Sequence, residues 1–152
     1  MKFLRTSEIY SKLESFITKS NVKRFFGNKE LFLVTPYLKF PEILYERLCS
    51  AGERGVKIII VFGKTDLSSE EKRKMVGIKG LELYFYKNLH AKIFLTSEEV
   101  IISSMNLHDY SLKHNREAGI LSYEISDIRE EVDDIIKHSK RIYYEGMEVI
   151  EK

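Results

Sequence analysis

"RGVKIIIVFG", residues 54–63, decides how this chain folds. From Val56 to Phe62 only Lys57 is polar, so a strand here has no wet face and must be covered on both sides. Parallel sheets flanked by helices are built that way. Upstream, "ELFLVTPYL" (30–38) reads as another strand, closed by Pro36, and Pro41 opens a helix reaching to about Glu53. Strand, helix and strand make one β-α-β unit, for which a right-handed crossover is expected.

Working outward, Ile9, Leu13, Phe16 and Ile17 recur at helical spacing behind Ser7, which reads as the cap. On the other side, Ser68 and Glu71 of "SSEEKRKM" form a capping box that starts a short helix, and "LELYFY" (81–86) follows as a strand. Lys72, Arg73 and Lys74, beside Glu70 and Glu71, read as that helix's solvated face. "NLHAKIFLTSEEVIISSMN" (88–106) reads as a hairpin, and "REAGILSY" (116–123) as a further strand. Ser126 is expected to cap a long closing helix whose buried stripe is Ile128, Val132, Ile135, Ile136 and Ile142. No linker, repeat or low-complexity tract interrupts this order. The expectation is one α/β domain over residues 1–152: a mixed, mostly parallel central sheet with helices on both faces.

Composition narrows the function classes. At 152 residues and 43% hydrophobic the chain suits one domain with a real core. Its formal charge of +2 does not announce a polyanionic partner, so any such site must be a local patch. The single cysteine, Cys49, cannot form an internal disulfide and sits on a helix face with Leu44 and Leu48. No apolar run has signal-peptide or membrane-spanning length, so a soluble, cytoplasmic protein without stable membrane association is expected.

The hairpin carries the chemistry. Side chains alternate along strands, so His90 and Lys92 share one face of the first arm, as Ser104 and Asn106 do at the end of the second. With the turn at 97–99, these ends lie side by side and bring imidazole, ammonium, hydroxyl and amide together. Polar groups on such apolar strands are costly unless they serve a purpose. The next strand adds Glu117, placed to accept from one nitrogen of His90 and orient the other. Lys92 and Asn106 suit phosphate oxygens, while an oriented imidazole can attack phosphorus or protonate a leaving oxygen. A phosphodiester is the natural substrate. The set lacks the paired carboxylates or His-x-x-x-His spacing of a metal phosphoesterase, so neither a metal such as Mg²⁺ nor any other cofactor is expected.

"H90-A-K92" followed by "S103-S104-M-N106" resembles the HKD motif of the phospholipase D superfamily, usually H-x-K-x4-D-x6-G-S-x-N, and "N115-R-E117-A-G" resembles the carboxylate-bearing strand that often follows it. The likeness in size and element order extends along the whole chain, as in the superfamily's small single-motif nucleases. Three features depart from the pattern: Ser97 stands where Asp is usual, Ser103 replaces the usual Gly, and the hairpin is one residue shorter. Ser97 falls at the turn, far from His90, so its change reads as structural.

The resemblance implies that His90 forms a covalent phosphohistidine, Lys92 and Asn106 hold the phosphate, Ser104 supports them and Glu117 orients His90. It also implies a second histidine as general acid, supplied by a second copy in a homodimer. Tyr37 and Lys64, just past two buried strands, are candidate substrate-binding residues at the carboxyl ends of the sheet. His108 and His114 read as solvated or capping, and His138 as facing water. The leading expectation is a metal-independent phosphodiesterase acting on nucleic acid, DNA or RNA. The alternatives are a phosphate- or nucleic-acid-binding module without turnover, prompted by Ser97, Ser103 and the shorter hairpin, and a phospholipid-processing enzyme, for which no membrane-seeking segment stands out.

Overall fold

The computed structural model describes residues 1–19, 30–64 and 66–144. Its first half runs β1 (Lys2–Arg5), α1 (Thr6–Lys19), β2 (Glu30–Thr35), β3 (Leu38–Lys39), α2 (Glu42–Glu53), β4 (Lys57–Phe62), α3 (Ser69–Val76) and β5 (Glu82–Phe85). The second runs β6 (Ile93–Thr96), β7 (Val100–Ser103), β8 (Leu107–His108), α4 (Asp109–His114), β9 (Ala118–Ser122), α5 (Ser126–Lys137) and β10 (Lys140–Ile142). The main sheet has the order β1-β9-β7-β6-β2-β4-β5-β10, and β3 pairs with β8 in a small sheet beside it.

The apolar run behaves as its composition requires. β2 and β4 pair in parallel at the sheet's centre, Glu30 opposite Lys57 through Thr35 opposite Phe62. Ile58 and Ile60 face the core under α1 and α2 with Ile9, Leu13, Leu44 and Leu48, while Ile59 and Val61 face the layer closed by Val132 of α5. Each fully buried aliphatic side chain contributes about 1.5–3 kcal/mol. Helices therefore cover both faces, as expected. The main sheet is mixed, but among its described pairings only β2–β4 and β4–β5 are parallel and the other five are antiparallel. The expected parallel majority fails because the β6–β7 hairpin joins β2 antiparallel and two short edge strands, β1 and β10, complete the sheet.

Several local expectations are corrected. α1 begins at Thr6, and Glu8 Oε1 accepts from the Arg5 N–H at 3.2 Å, so Ser7 lies inside the first turn. Ser126 is the first residue of α5 rather than its cap. Ile142 belongs to β10, antiparallel to β5, because the helix ends at Lys137. Ser68 does cap α3, accepting from Glu71 N–H at 3.2 Å. The face of α3 expected to be solvated carries a buried ion pair: Lys74 Nζ lies 3.3 Å from Glu71 Oε1, with side chains 6% and 3% exposed. Lys74 also donates to Phe40 O at 2.9 Å, and Glu71 Oε2 accepts from Phe40 N–H at 3.3 Å, so the pair clamps both backbone groups of Phe40 just after β3. No helix among the described residues is long and apolar enough to cross a membrane.

Candidate active site

Strand directions gather the site at one end of the sheet. The carboxyl ends of β2, β4 and β5 lie there, and because β6 is antiparallel to β2, its amino end lies there too. Further antiparallel steps bring the carboxyl end of β7, the amino end of β9 and the carboxyl end of β1 to the same edge. His90 and Lys92 before β6, Ser104 and Asn106 after β7, and Glu117 before β9 therefore share one end with Tyr37 and Lys64, which follow β2 and β4.

Each polar residue is held by anchored neighbours. Tyr86 N–H donates to Phe62 O at 2.9 Å, Leu89 N–H closes a turn onto Tyr86 O at 3.1 Å, and the Leu89 side chain is buried. His90 emerges exposed from this turn. Lys92 is half-buried, and its carbonyl accepts from Ser103 N–H at 3.2 Å, extending the hairpin ladder past its last strand residue. His90 and Lys92 thus lie in the extended lead-in to β6 rather than within the strand. Asn106 sits between Met105 and Leu107, both fully buried, so alternation turns its own side chain the other way. Thr35 Oγ1 fixes this segment, accepting from Leu107 N–H at 2.9 Å and donating to Tyr37 O at 2.8 Å.

Glu117 is gripped from a distance. Thr6 Oγ1 accepts from Glu117 N–H at 2.8 Å and donates to Glu117 O at 3.1 Å, so one hydroxyl at the start of α1 fixes both backbone groups. The Glu117 carboxylate accepts from Ser104 Oγ at 2.7 Å, and Ser104 Oγ accepts from Ala118 N–H at 3.1 Å. The expected hydrogen bond from His90 to Glu117 is not formed. His90 instead lines a cleft of about 200 Å³ with Glu131, Asp134 and His138 of α5 and its C-terminal flank. Exposure explains the difference: a histidine at the surface needs no internal acceptor, whereas the short Ser104 side chain already lies over Glu117.

Sequence reasoning therefore found the cluster but not all its contacts. Ser104 and Glu117 meet, and His90, Lys92 and Asn106 reach the same end of the sheet. Among the described residues the His90 and Lys92 side chains make no hydrogen bond or ion pair, and Asn106 Oδ1 is buried without a partner. Tyr37 and Lys64 are exposed, the latter at φ 69°. Gly63 N–H donates to Pro36 O at 3.1 Å and ties the segments carrying them. His108 is a cap, its Nδ1 accepting from Tyr110 N–H at 3.2 Å, while His114 and His138 are exposed. On the rim the Lys113 ammonium, 3.0 Å from Asp109 Oδ1, holds the Asp109 carboxyl below the usual carboxylate range. Thr6 gave no sequence signal, since it lies 111 positions from its partner. Glu131 and Asp134 were hidden among the other acids of α5.

A β-α-β unit extended by an antiparallel hairpin, with histidine, lysine, asparagine and glutamate at one end, defines a phospholipase D-like domain. Residues 24–140 match the family described as cardiolipin synthase, PLD-like domain, and the chain belongs to that family. Its fold is similar to that of Nuc, a phospholipase D family member from Salmonella typhimurium, with a TM-score of 0.75 at 16% identity, covering 93% of this chain and 95% of that one. It is also similar to NucT from Helicobacter pylori, with a TM-score of 0.78 at 11% identity, covering 93% and 98% respectively. TrmBL2, described as an archaeal chromatin protein with a novel mode of DNA binding, matches at TM-score 0.69 and 16% identity, covering 93% of this chain and 53% of that one. An uncharacterized protein of Streptococcus mutans is 27% identical over 124 residues, 74% of this chain, and the chain spans only 27% of that relative's length.

Proposed function

We propose that the protein is a metal-independent phosphodiesterase acting on nucleic acid, with its active site completed by a second copy of the chain. The observation that carries this reading is the gathering of His90, Lys92, Ser104, Asn106 and Glu117 at one end of the sheet, in a fold shared with Nuc and NucT. One nitrogen of His90 attacks phosphorus, a P–N bond forms and a P–O bond breaks, and the leaving oxygen takes a proton from the second copy's His90. Water then attacks phosphorus and the P–N bond breaks, freeing the first imidazole. The proton lost by that water returns to the second. Lys92 and the Asn106 amide balance charge on the phosphoryl oxygens throughout. Glu117, fixed by Thr6, positions Ser104 beside them.

A second reading is a nucleic-acid-binding module without turnover: TrmBL2, similar in fold, is described by its mode of DNA binding, and Ser97, Ser103 and the shorter hairpin depart from the motif. Hydrolysis of bis(p-nitrophenyl) phosphate and of labelled single- and double-stranded DNA in excess EDTA separates the two. Turnover that survives the chelator and vanishes in His90→Ala supports the enzyme. Binding of DNA with no wild-type hydrolysis supports the module.

A further inference from the structure

Beyond the catalytic cluster, the same end of the sheet opens into a groove of about 1020 Å³ that begins at Glu117 and runs between β1, the start of α1 and the connection from α4 to β9. Phe3, Arg5, Tyr10, His114 and Arg116 line it. Two features set this groove apart. Arg5 and Arg116 make no ion pair with any described carboxylate, a state that Arg73 on α3 shares, whereas Arg47, Arg129 and Arg141 are each bound to one. Phe3 is 63% exposed on an edge strand, in line with Ile120 and Ile102 of the neighbouring strands, themselves 40% and 42% exposed. Unneutralised guanidiniums beside an unburied ring are an arrangement that protein folding does not call for.

On the α5 side of His90 the lining is of opposite sign, with Glu131 and Asp134 in the cleft and further acids along the same helix. A polyanion leaving the reacting phosphate is repelled there and drawn toward Arg5 and Arg116. Neighbouring strands lie about 4.8 Å apart, so the groove over β9 and β1 begins roughly 10–15 Å from β6 and His90. That distance is roughly three to four nucleotides at the axial rise of a strand. Bases in a duplex are already stacked on one another and cannot reach a protein ring, whereas an unpaired base can.

We infer that this groove holds a single-stranded stretch of nucleic acid flanking the scissile phosphodiester, with Phe3 as the stacking platform and Arg5 and Arg116 as phosphate contacts. The inference rests on the nuclease reading above and adds the strand state of the substrate and its direction across the site. Arg5 follows Phe3 by two positions on β1, so both project to one side of the sheet edge and one strand meets them together.

The chain contains no tryptophan, so Phe3→Trp introduces a single fluorescent reporter at an exposed position. In a His90→Ala background, where the strand is not cut, titration with a thymidylate dodecamer is expected to quench this emission. A duplex of equal length should quench it weakly. Adding Arg5→Gln and Arg116→Gln, with the thermal melt checked for intact folding, should raise Kd for the single strand at least tenfold. It should also lower the salt slope by roughly 1.4, about 0.7 for each phosphate that is no longer neutralised. Emission unchanged while anisotropy of an end-labelled strand reports binding overturns the inference, as does a Kd indifferent to both arginines. So does blue-shifted emission that follows protein concentration and ignores the strand, which would assign the groove to a second copy. Absence of wild-type turnover of bis(p-nitrophenyl) phosphate, a substrate too small to reach the groove, separately reports failure of the phosphodiesterase reading.

Discussion

Lys74→Met should cost far more than a substitution on a charged surface helix. The ammonium donates at 2.9 Å to Phe40 O and lies 3.3 Å from Glu71 Oε1, and both side chains are almost wholly buried. Methionine fills the same volume but removes the cation of this pair, stranding a buried carboxylate and the Phe40 carbonyl. Breaking a buried pair from one side costs about 3–5 kcal/mol. For a chain of this size each kcal/mol lowers Tm by about 2–4 °C, so the variant should melt roughly 6–20 °C lower. Glu71→Leu with Lys74→Met removes both charges and leaves only the Phe40 N–H and C=O unmet. The double variant should therefore be less damaged than the sum of the two single variants, with a coupling of about 1–3 kcal/mol. Urea denaturation followed by circular dichroism at neutral pH supplies all four corners of the cycle. A single-variant loss below about 0.5 kcal/mol, the range of ordinary surface substitutions, would refute the burial argument.

Other expectations concern the elements that position the site. Gly63→Ala would set a Cβ 2.4 Å from Tyr86 O and 2.9 Å from Leu89 Cβ, so the turn carrying His90 must shift; about 1–3 kcal/mol of stability and most of the turnover should be lost in melts and rate assays. Thr6→Val removes both hydrogen bonds that fix the Glu117 backbone, which should cost about 1–3 kcal/mol and lower kcat more than it raises KM. Burial of Glu82 raises its carboxyl pKa, but Lys57, Tyr84 and Arg141 outweigh this and hold it below the ordinary value. A depressed folded-state pKa gives stability that is present above the unfolded value and lost as pH falls through the folded one. Glu82→Gln should therefore lower stability at neutral pH and flatten its decline in acid, measured by urea melts across that range.

The central β-α-β unit was legible because a run such as Val56–Phe62 leaves the chain no alternative to double-sided burial. Ser68 at its cap and Pro41 before α2 were legible for a similar reason, each satisfying a local backbone requirement. β1 and β10 were not, since a short edge strand such as Lys2–Arg5 buries only Leu4 and has almost no pattern to read. The buried state of Lys74 was invisible because its reasons, the two backbone groups of Phe40, lie 34 residues away. At the candidate site, residue types and hairpin spacing were enough to bring His90, Lys92, Ser104, Asn106 and Glu117 to one end of the sheet. They were not enough to say that Glu117 would turn to Ser104. That choice depends on Thr6 and on strand order, which become neighbours only after folding.

A mixing experiment in EDTA tests the shared site most directly. Wild-type chains are allowed to exchange subunits with increasing amounts of His90→Ala, and turnover of a phosphodiester is measured per wild-type chain. If each site takes one histidine from each of two copies, an equal amount of the variant should lower that activity to about half, and a ninefold excess to about a tenth. Activity per wild-type chain that stays constant after exchange is verified, or a His90→Ala homodimer that turns over like the wild type, would contradict it.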